Sequence, residues 1–180
     1  MNTFIALLRG INVGGKTTLK MKDLVLLLEE LGAAYVRTYI QSGNVVLEYP
    51  GEPGSLDQKI TQAIQERFGF APHVLLLTLA EFKAAMQNNP FPAAESNPKA
   101  LHLGFLSHEP KDPRMDDLAR LKSHSEAFVL KGKVFYLYAP EGVGRSKLAT
   151  SSERLLGVPM TDRNWNTVCK IYELATAERE

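Results

Sequence analysis

The stretch Tyr35-Val36-Arg37-Thr38-Tyr39-Ile40-Gln41-Ser42-Gly43-Asn44-Val45-Val46-Leu47-Glu48-Tyr49 decides the fold. Residues 35–40 and 45–49 are rich in β-branched and aromatic side chains, which suit extended backbone. Between them stands only Gln41-Ser42-Gly43-Asn44, where Gly and Asn both tolerate the positive φ of a tight turn. Two such runs around a short glycine-containing connection predict an antiparallel hairpin and not a parallel crossover.

Upstream of the hairpin, Phe4 to Leu8 forms a short apolar run that reads as a strand. It ends at Arg9-Gly10 and leads into a glycine-rich loop through Lys16. Met21, Leu24, Val25, Leu28 and Leu31 then recur on one face of a helix, which Gly32 stops. Downstream, Ser55 with Gln58 reads as a capping box opening a second helix, with Leu56, Ile60, Ala63, Ile64 and Phe68 as its apolar face and Gly69 at its end. A fourth strand spans 74–77. Thr78 with Glu81 makes another capping box and opens a third helix through Phe82, Ala85 and Met86.

The order then repeats. Residues 101–106 form a strand, and Asp112-Pro113 predicts a helix start continuing through Met115, Leu118 and Leu121. Residues 127–130 and 134–138 predict a hairpin through Lys131-Gly132-Lys133. A helix lies between Arg145 and Leu156 and ends at Gly157. Residues 158–161 predict a short strand, and Trp165, Val168, Ile171, Tyr172 and Ala175 mark a last helix. Each half reads β-α-β-β-α-β-α, and its first six elements have the ferredoxin-like order. The predicted fold class is therefore α+β, a tandem duplication of a ferredoxin-like βαββαβ unit, each followed by an extra helix.

Residues 87–99 hold three prolines and three asparagines, which is linker chemistry. The expected division is a first repeat with its helix at 1–89, a linker at 90–99, and a second repeat with its helix at 100–180. A lone four-stranded sheet leaves one face open, and its strands then alternate apolar with polar. Phe4-Ile5-Ala6-Leu7-Leu8 and Val134-Phe135-Tyr136-Leu137-Tyr138 are apolar throughout, so both faces should be covered, by the extra helices or by the opposite half.

The 180 residues carry 21 Lys and Arg against 20 Asp and Glu, a net charge of +1, so no global field draws in nucleic acid. Any anion site must be local. Cys169 is the only cysteine, which rules out an intramolecular disulfide framework and points to a reducing compartment. No apolar run reaches the ~20 residues of a membrane helix, and the start lacks a basic, signal-like segment. The expected address is the cytoplasm. Composition says nothing of oligomeric state.

Four segments resemble the bacterial family called domain of unknown function 1697. They are Leu8-Arg9-Gly10-Ile11-Asn12-Val13-Gly14-Gly15-Lys16, Arg37-Thr38-Tyr39-Ile40-Gln41-Ser42-Gly43-Asn44-Val45, Gly144-Arg145-Ser146-Lys147-Leu148, and Thr161-Asp162-Arg163-Asn164-Trp165-Asn166-Thr167-Val168. The resemblance runs from near the start to near the end of the chain and implies two ferredoxin-like repeats. It implies no activity and no catalytic residues. In that family Asn commonly follows the basic residue of the glycine loop, where this chain has Thr17.

Gly10-Ile11-Asn12-Val13-Gly14-Gly15-Lys16-Thr17 matches the pattern of a nucleotide phosphate loop. Its context argues against that chemistry: the helical period begins only at Met21, the next strands form a hairpin, and no later strand ends in a metal-binding Asp. Two readings stand for the loop, a tight structural turn or a cradle for some other anion. Gln41-Ser42-Gly43-Asn44 is likewise either a turn or a set of polar groups beside that loop. Arg145-Ser146-Lys147 and Arg163-Asn164 are the most charged parts of the second half, and an arginine at the start of the last helix would suit phosphate or carboxylate. Trp165 and Cys169 fit the apolar face of the last helix. His73, His102, His108 and His124 show no metal-ligand spacing, no cofactor motif is evident, and no nucleophile or base is named by any motif.

The function expected from these residues is binding of a small phosphate- or carboxylate-bearing ligand in a cleft between the halves. Its candidate contacts are Arg9, Asn12, Gly14, Gly15, Lys16, Gln41, Ser42, Asn44, Arg145, Ser146, Lys147, Arg163 and Asn164. The alternatives are RNA or single-stranded nucleic acid binding on strand aromatics such as Phe4, Tyr39 and Tyr49, an enzyme of unassigned reaction using the same loops, and a structural or partner-binding module.

Overall fold

A computed structural model describes residues 1–178. The chain divides into two units, one of Met1–Ala84 together with the stretch that begins at Lys170, the other of Ala85–Cys169. Each unit holds one four-stranded antiparallel sheet, and the described residues form six α-helices, an α+β fold.

In the first unit β1 (Asn2–Arg9) leads to α1 (Met21–Glu30), then β2 (Ala34–Tyr39), β3 (Asn44–Tyr49), α2 (Leu56–Phe68), β4 (His73–Thr78) and the start of α3 (Leu79–Gln87). The strand order is β2-β3-β1-β4. The antiparallel pairing of β2 with β3 bears out the hairpin read at residues 35–49. Burial follows the two periods expected of strand and helix: Phe4, Ala6, Leu8, Val45 and Leu47 on one sheet face meet Leu24, Leu27 and Leu28 of α1 and Leu56, Ile60 and Ile64 of α2. The opposite-facing Ile5, Leu7 and Val46 are also buried, at 0, 0 and 1% exposure. The apolar pattern on both sides of β1 therefore corresponds to burial on both sides.

The second unit repeats that order with β5 (Leu101–Leu106), α4 (Met115–Leu121), β6 (Ala127–Lys131), β7 (Val134–Tyr138), α5 (Lys147–Leu156), β8 (Met160–Asn164) and the start of α6 (Trp165–Thr176). Its sheet runs β6-β7-β5-β8. Leu106, Phe135 and Leu137 pack with Leu118 of α4 and with Leu148, Leu155 and Leu156 of α5. The buried Tyr136 points the other way. Its hydroxyl donates to the Ala85 carbonyl at 2.6 Å, tying the last turn of α3 to this sheet, and burial pushes its pKa up to about 12.

Several local expectations are met and others shift. Thr78 and Glu81 form the reciprocal box at the start of α3: the Thr78 amide donates to Glu81 Oε2 at 2.8 Å, and the Glu81 amide to Thr78 Oγ1 at 3.1 Å. Such a box stabilises a helix start by ~1 kcal/mol. Ser55 stands at the cap of α2, but its side chain makes no capping bond. At φ −100° and ψ 30° its backbone is turned away from the extended geometry that aims a cap hydroxyl at the helix amides. Helix α4 begins at Met115 and not at Pro113, with Arg114 in the cap position. Residues 90–99 contain a 3-10 helix, Pro92–Ser96, and the Pro98 carbonyl accepts the Trp165 amide at 3.1 Å. The last strand is Met160–Asn164 where 158–161 was expected. Asp162 and Asn164 have little strand propensity, and the ladder along β5, from Leu106↔Met160 to His102↔Asn164, overrides it.

Candidate functional site

Strand directions bring the first-half motifs to one end of their sheet. β1 finishes at Arg9, Leu7 lies opposite Asn44 where β3 begins, and Arg9 lies opposite His73 where β4 begins. The glycine loop and the β2–β3 turn therefore share that end. Asn12 fastens them together. Its Nδ2 donates to the Leu19 carbonyl at 2.9 Å and to the Gln41 carbonyl at 2.7 Å, while its Oδ1 accepts the Leu19 amide at 2.8 Å. Its φ of 54° lies in the left-handed region that Asn adopts more readily than most residues.

The turn is held as firmly. Gly43 has φ +83°, and a Cβ on it would stand 2.6 Å from Leu8 Cβ and 3.1 Å from the Leu8 carbonyl oxygen. The close approach lets the Leu8 amide donate to the Gly43 carbonyl at 2.8 Å. Asn44 is buried, and its Nδ2 donates to the Tyr39 carbonyl at 3.1 Å and to Ser42 Oγ at 2.9 Å. Asn12, Ser42 and Asn44 thus use side-chain polar atoms on the loops themselves. Gly14, Gly15, Lys16 and Gln41 are exposed. Thr17 Oγ1 bonds within the loop, donating to the Val13 carbonyl at 3.3 Å, and α1 starts only at Met21. A nucleotide phosphate loop would instead put Lys16 and Thr17 at the helix start.

In the second unit Arg145, Ser146 and Lys147 line a cavity of about 390 Å³ together with Leu121, Ser123, Glu126, Glu141 and Gly142. The turn Val143–Arg145 delivers the chain to α5, whose N-cap is Ser146. Ser146 Oγ accepts the Ala149 amide at 2.9 Å and donates to the Glu126 carboxylate. That carboxylate is buried and also accepts the Ser123 amide at 2.9 Å. Burial opposes its ionisation, but the hydrogen bonds from Ser146 and Ser123, helped by the charge of Lys122, outweigh it and hold its pKa below the usual carboxylate value. Glu141 accepts from Ser125 Oγ at 2.8 Å. The side chains of Arg145 and Lys147 are exposed and enter no ion pair or hydrogen bond among the described residues.

Arg163 and Asn164 are not among the residues lining that cavity, because β8 and β6 lie at opposite edges of the sheet. Asn164 Oδ1 accepts the Thr167 amide at 2.9 Å and caps α6. Arg163 donates to the Asp162 carbonyl at 2.9 Å; burial pulls its pKa down to about 10, against the opposing pull of Asp162. Trp165 lies on the buried face of α6 with Val168, Ile171 and Ala175.

Two arrangements escaped sequence reasoning. Glu126 and Glu141 belong to the cavity, and only the Ser123-x-x-Glu126 spacing, a box-like pattern just ahead of β6, hinted at the first. His102 is buried in β5 with Nδ1 2.7 Å from Asp162 Oδ2 and Nε2 3.0 Å from the Lys99 carbonyl oxygen. Burial opposes the charged ring, yet the Asp162 carboxylate wins and the pKa of His102 is raised. A histidine inside the apolar run Leu101-His102-Leu103 signals a buried partner without saying which. No group of three or more His, Cys, Asp or Glu among the described residues is placed to hold a metal ion. No helix among them is long and apolar enough to cross a membrane.

No curated protein matches the chain. Among solved structures, its fold is similar to that of the conserved bacterial protein SP0830 from Streptococcus pneumoniae. The TM-score is 0.70 at 27% identity, over 97% of this chain and 99% of that one. The family model described as protein of unknown function (DUF1697) matches residues 1–136, which contain two of the four segments that carried the resemblance. The chain belongs to that family of proteins of unknown function.

Proposed function

We propose that this protein binds a small ligand bearing a phosphate or carboxylate, and that the cavity at the start of α5 receives it. The observation that carries the reading is that Arg145 and Lys147 line a concave site without any ion pair of their own among the described residues. The positive end of the ten-residue helix α5 adds to their field. A cavity of about 390 Å³ is of the size that suits a small metabolite. In the same reading Gly14, Gly15 and Lys16, exposed at the loop end of the first unit and stiffened by Asn12, serve as a second anion-binding surface. Asn12, Ser42 and Asn44 act there as positioning residues, since their polar atoms are already engaged. The scaffold in this reading is a pair of ferredoxin-like units, supported by the matching orders β2-β3-β1-β4 and β6-β7-β5-β8. The single cysteine favours the cytoplasm as its place of work.

The test is a thermal-shift screen of inorganic phosphate, sugar phosphates and small carboxylates. Saturation at about 100 times Kd adds ~2.7 kcal/mol, which is roughly 5–11 °C for a chain of this length. Arg145→Gln and Lys147→Gln should abolish the shift, while Arg154→Gln, at the far end of α5, should leave it. Absence of any shift across the screen, or a shift untouched by both cavity variants, overturns the reading.

A further inference from the structure

The cavity carries opposite charges that are not paired with each other. Glu126 and Glu141 line it along with Arg145 and Lys147, yet no ion pair links either carboxylate to either cation. Opposite charges that line one cavity attract one another and tend to pair unless something holds them. Here something does. Glu126 is fixed by the Ser123 amide and by Ser146, and Glu141 by Ser125. The turn that carries Ser123, Ser125 and Glu126 thus positions both carboxylates, while Arg145 and Lys147 flank the cap of α5.

This arrangement suits a purely anionic ligand poorly. A lone phosphate or carboxylate entering the cavity meets two carboxylates as well as two cations, and much of the attraction is cancelled. A ligand with a positive group at its other end meets opposite charge at both ends. We infer that the ligand of this cavity is dipolar: a small amino acid or amino-bearing acid, its acidic group toward Arg145 and Lys147 and its ammonium toward Glu126 and Glu141. The inference rests on the binding reading above and narrows it. Glu126 suits the role electrostatically because its hydrogen bonds keep it ionised at neutral pH, so it presents a full negative charge.

The ligand series that tests it pairs each ω-amino acid from glycine to 6-aminohexanoate with the unsubstituted carboxylate of the same chain length. The matching alkylamines complete the set, and binding is read by calorimetry on the full chain. At the best chain length the amino acid should bind at least roughly tenfold tighter than either single-ended partner, the gain expected when a second, partly buried charge pair is added. Glu126→Gln and Glu141→Gln should each cut that advantage while leaving the affinity for the plain carboxylate unchanged or higher. Glu126 is buried, so its variant is checked for folding by circular dichroism. Glu141 is exposed, and its variant carries the test if the other unfolds. Equal affinity for the amino acid and its plain carboxylate, both lost in Arg145→Gln, overturns the dipolar inference and leaves the anion reading standing. Binding of neither class overturns both.

Discussion

Replacing Asn12 tests whether its three hydrogen bonds clamp the glycine loop to the β2–β3 turn. Asn12→Ala removes three hydrogen bonds, to the Leu19 carbonyl, the Leu19 amide and the Gln41 carbonyl. Each contributes ~0.5–1.5 kcal/mol net, and the loop's exposure favours the lower half of that range, so about 2 kcal/mol is lost. Alanine at a φ of 54° adds about 1 kcal/mol more, since its Cβ crowds the backbone in the left-handed region. The total of ~3 kcal/mol lowers Tm by roughly 6–12 °C. Asn12→Asp is nearly isosteric and keeps the acceptor facing the Leu19 amide, but it turns an oxygen toward two carbonyls at 2.9 and 2.7 Å. The new carboxyl is then easier to protonate in the folded protein than in the unfolded chain. A raised folded pKa means stability that is present at low pH and lost as pH rises through that pKa. The defect should accordingly be small near pH 4 and full, about 2–4 kcal/mol, at pH 7. Urea titrations of both variants at the two pH values give these quantities. An Asn12→Ala cost below about 0.5 kcal/mol, or an Asn12→Asp cost independent of pH, refutes the clamp.

Gly43→Ala should cost about 2–4 kcal/mol, from its positive φ and from the backbone and Cβ atoms of Leu8 that cannot move aside. Gly104→Ala should cost less, because the nearest atoms belong to the flexible side chain of Met160 and φ is not positive there; equal costs by urea unfolding would contradict the packing described. Both ring nitrogens of His102 face acceptors, so only the protonated ring satisfies both. Its raised pKa means that this stabilisation is complete below the unfolded value of ~6.5 and falls away as pH rises through the folded value. His102→Gln should flatten the stability profile over that window, and Asp162→Asn should remove most of the same slope. An unchanged profile in both would show that His102 is not the group titrating.

What the sequence made legible were features written in local patterns. The hairpin of Tyr35 to Tyr49 followed from β-branched runs around Gly43, and α5 from the stretch between Arg145 and Gly157. The start of α3 followed from Thr78 and Glu81. Strand β8 was misplaced because Thr161-Asp162-Arg163-Asn164 becomes a strand through its ladder with β5, a partner 60 residues away for the His102–Asp162 pair. The same long reach hid the cavity. Arg145, Ser146 and Lys147 stand out as a charged run, but Glu126 is brought to them by the fold and sits in an unremarkable turn before β6. Arg163 and Asn164 looked like partners of that run by composition, and the strand order sends them to the other edge of the sheet.

Amide NMR of the isotope-labelled chain during titration with the tightest-binding member of the carboxylate and ω-amino acid series tests the location of binding most directly. The account predicts shifts concentrated at residues 142–148 and 123–126, saturating together and absent in Arg145→Gln. Shifts centred instead on residues 14–16, or no saturable shift at all, would contradict it.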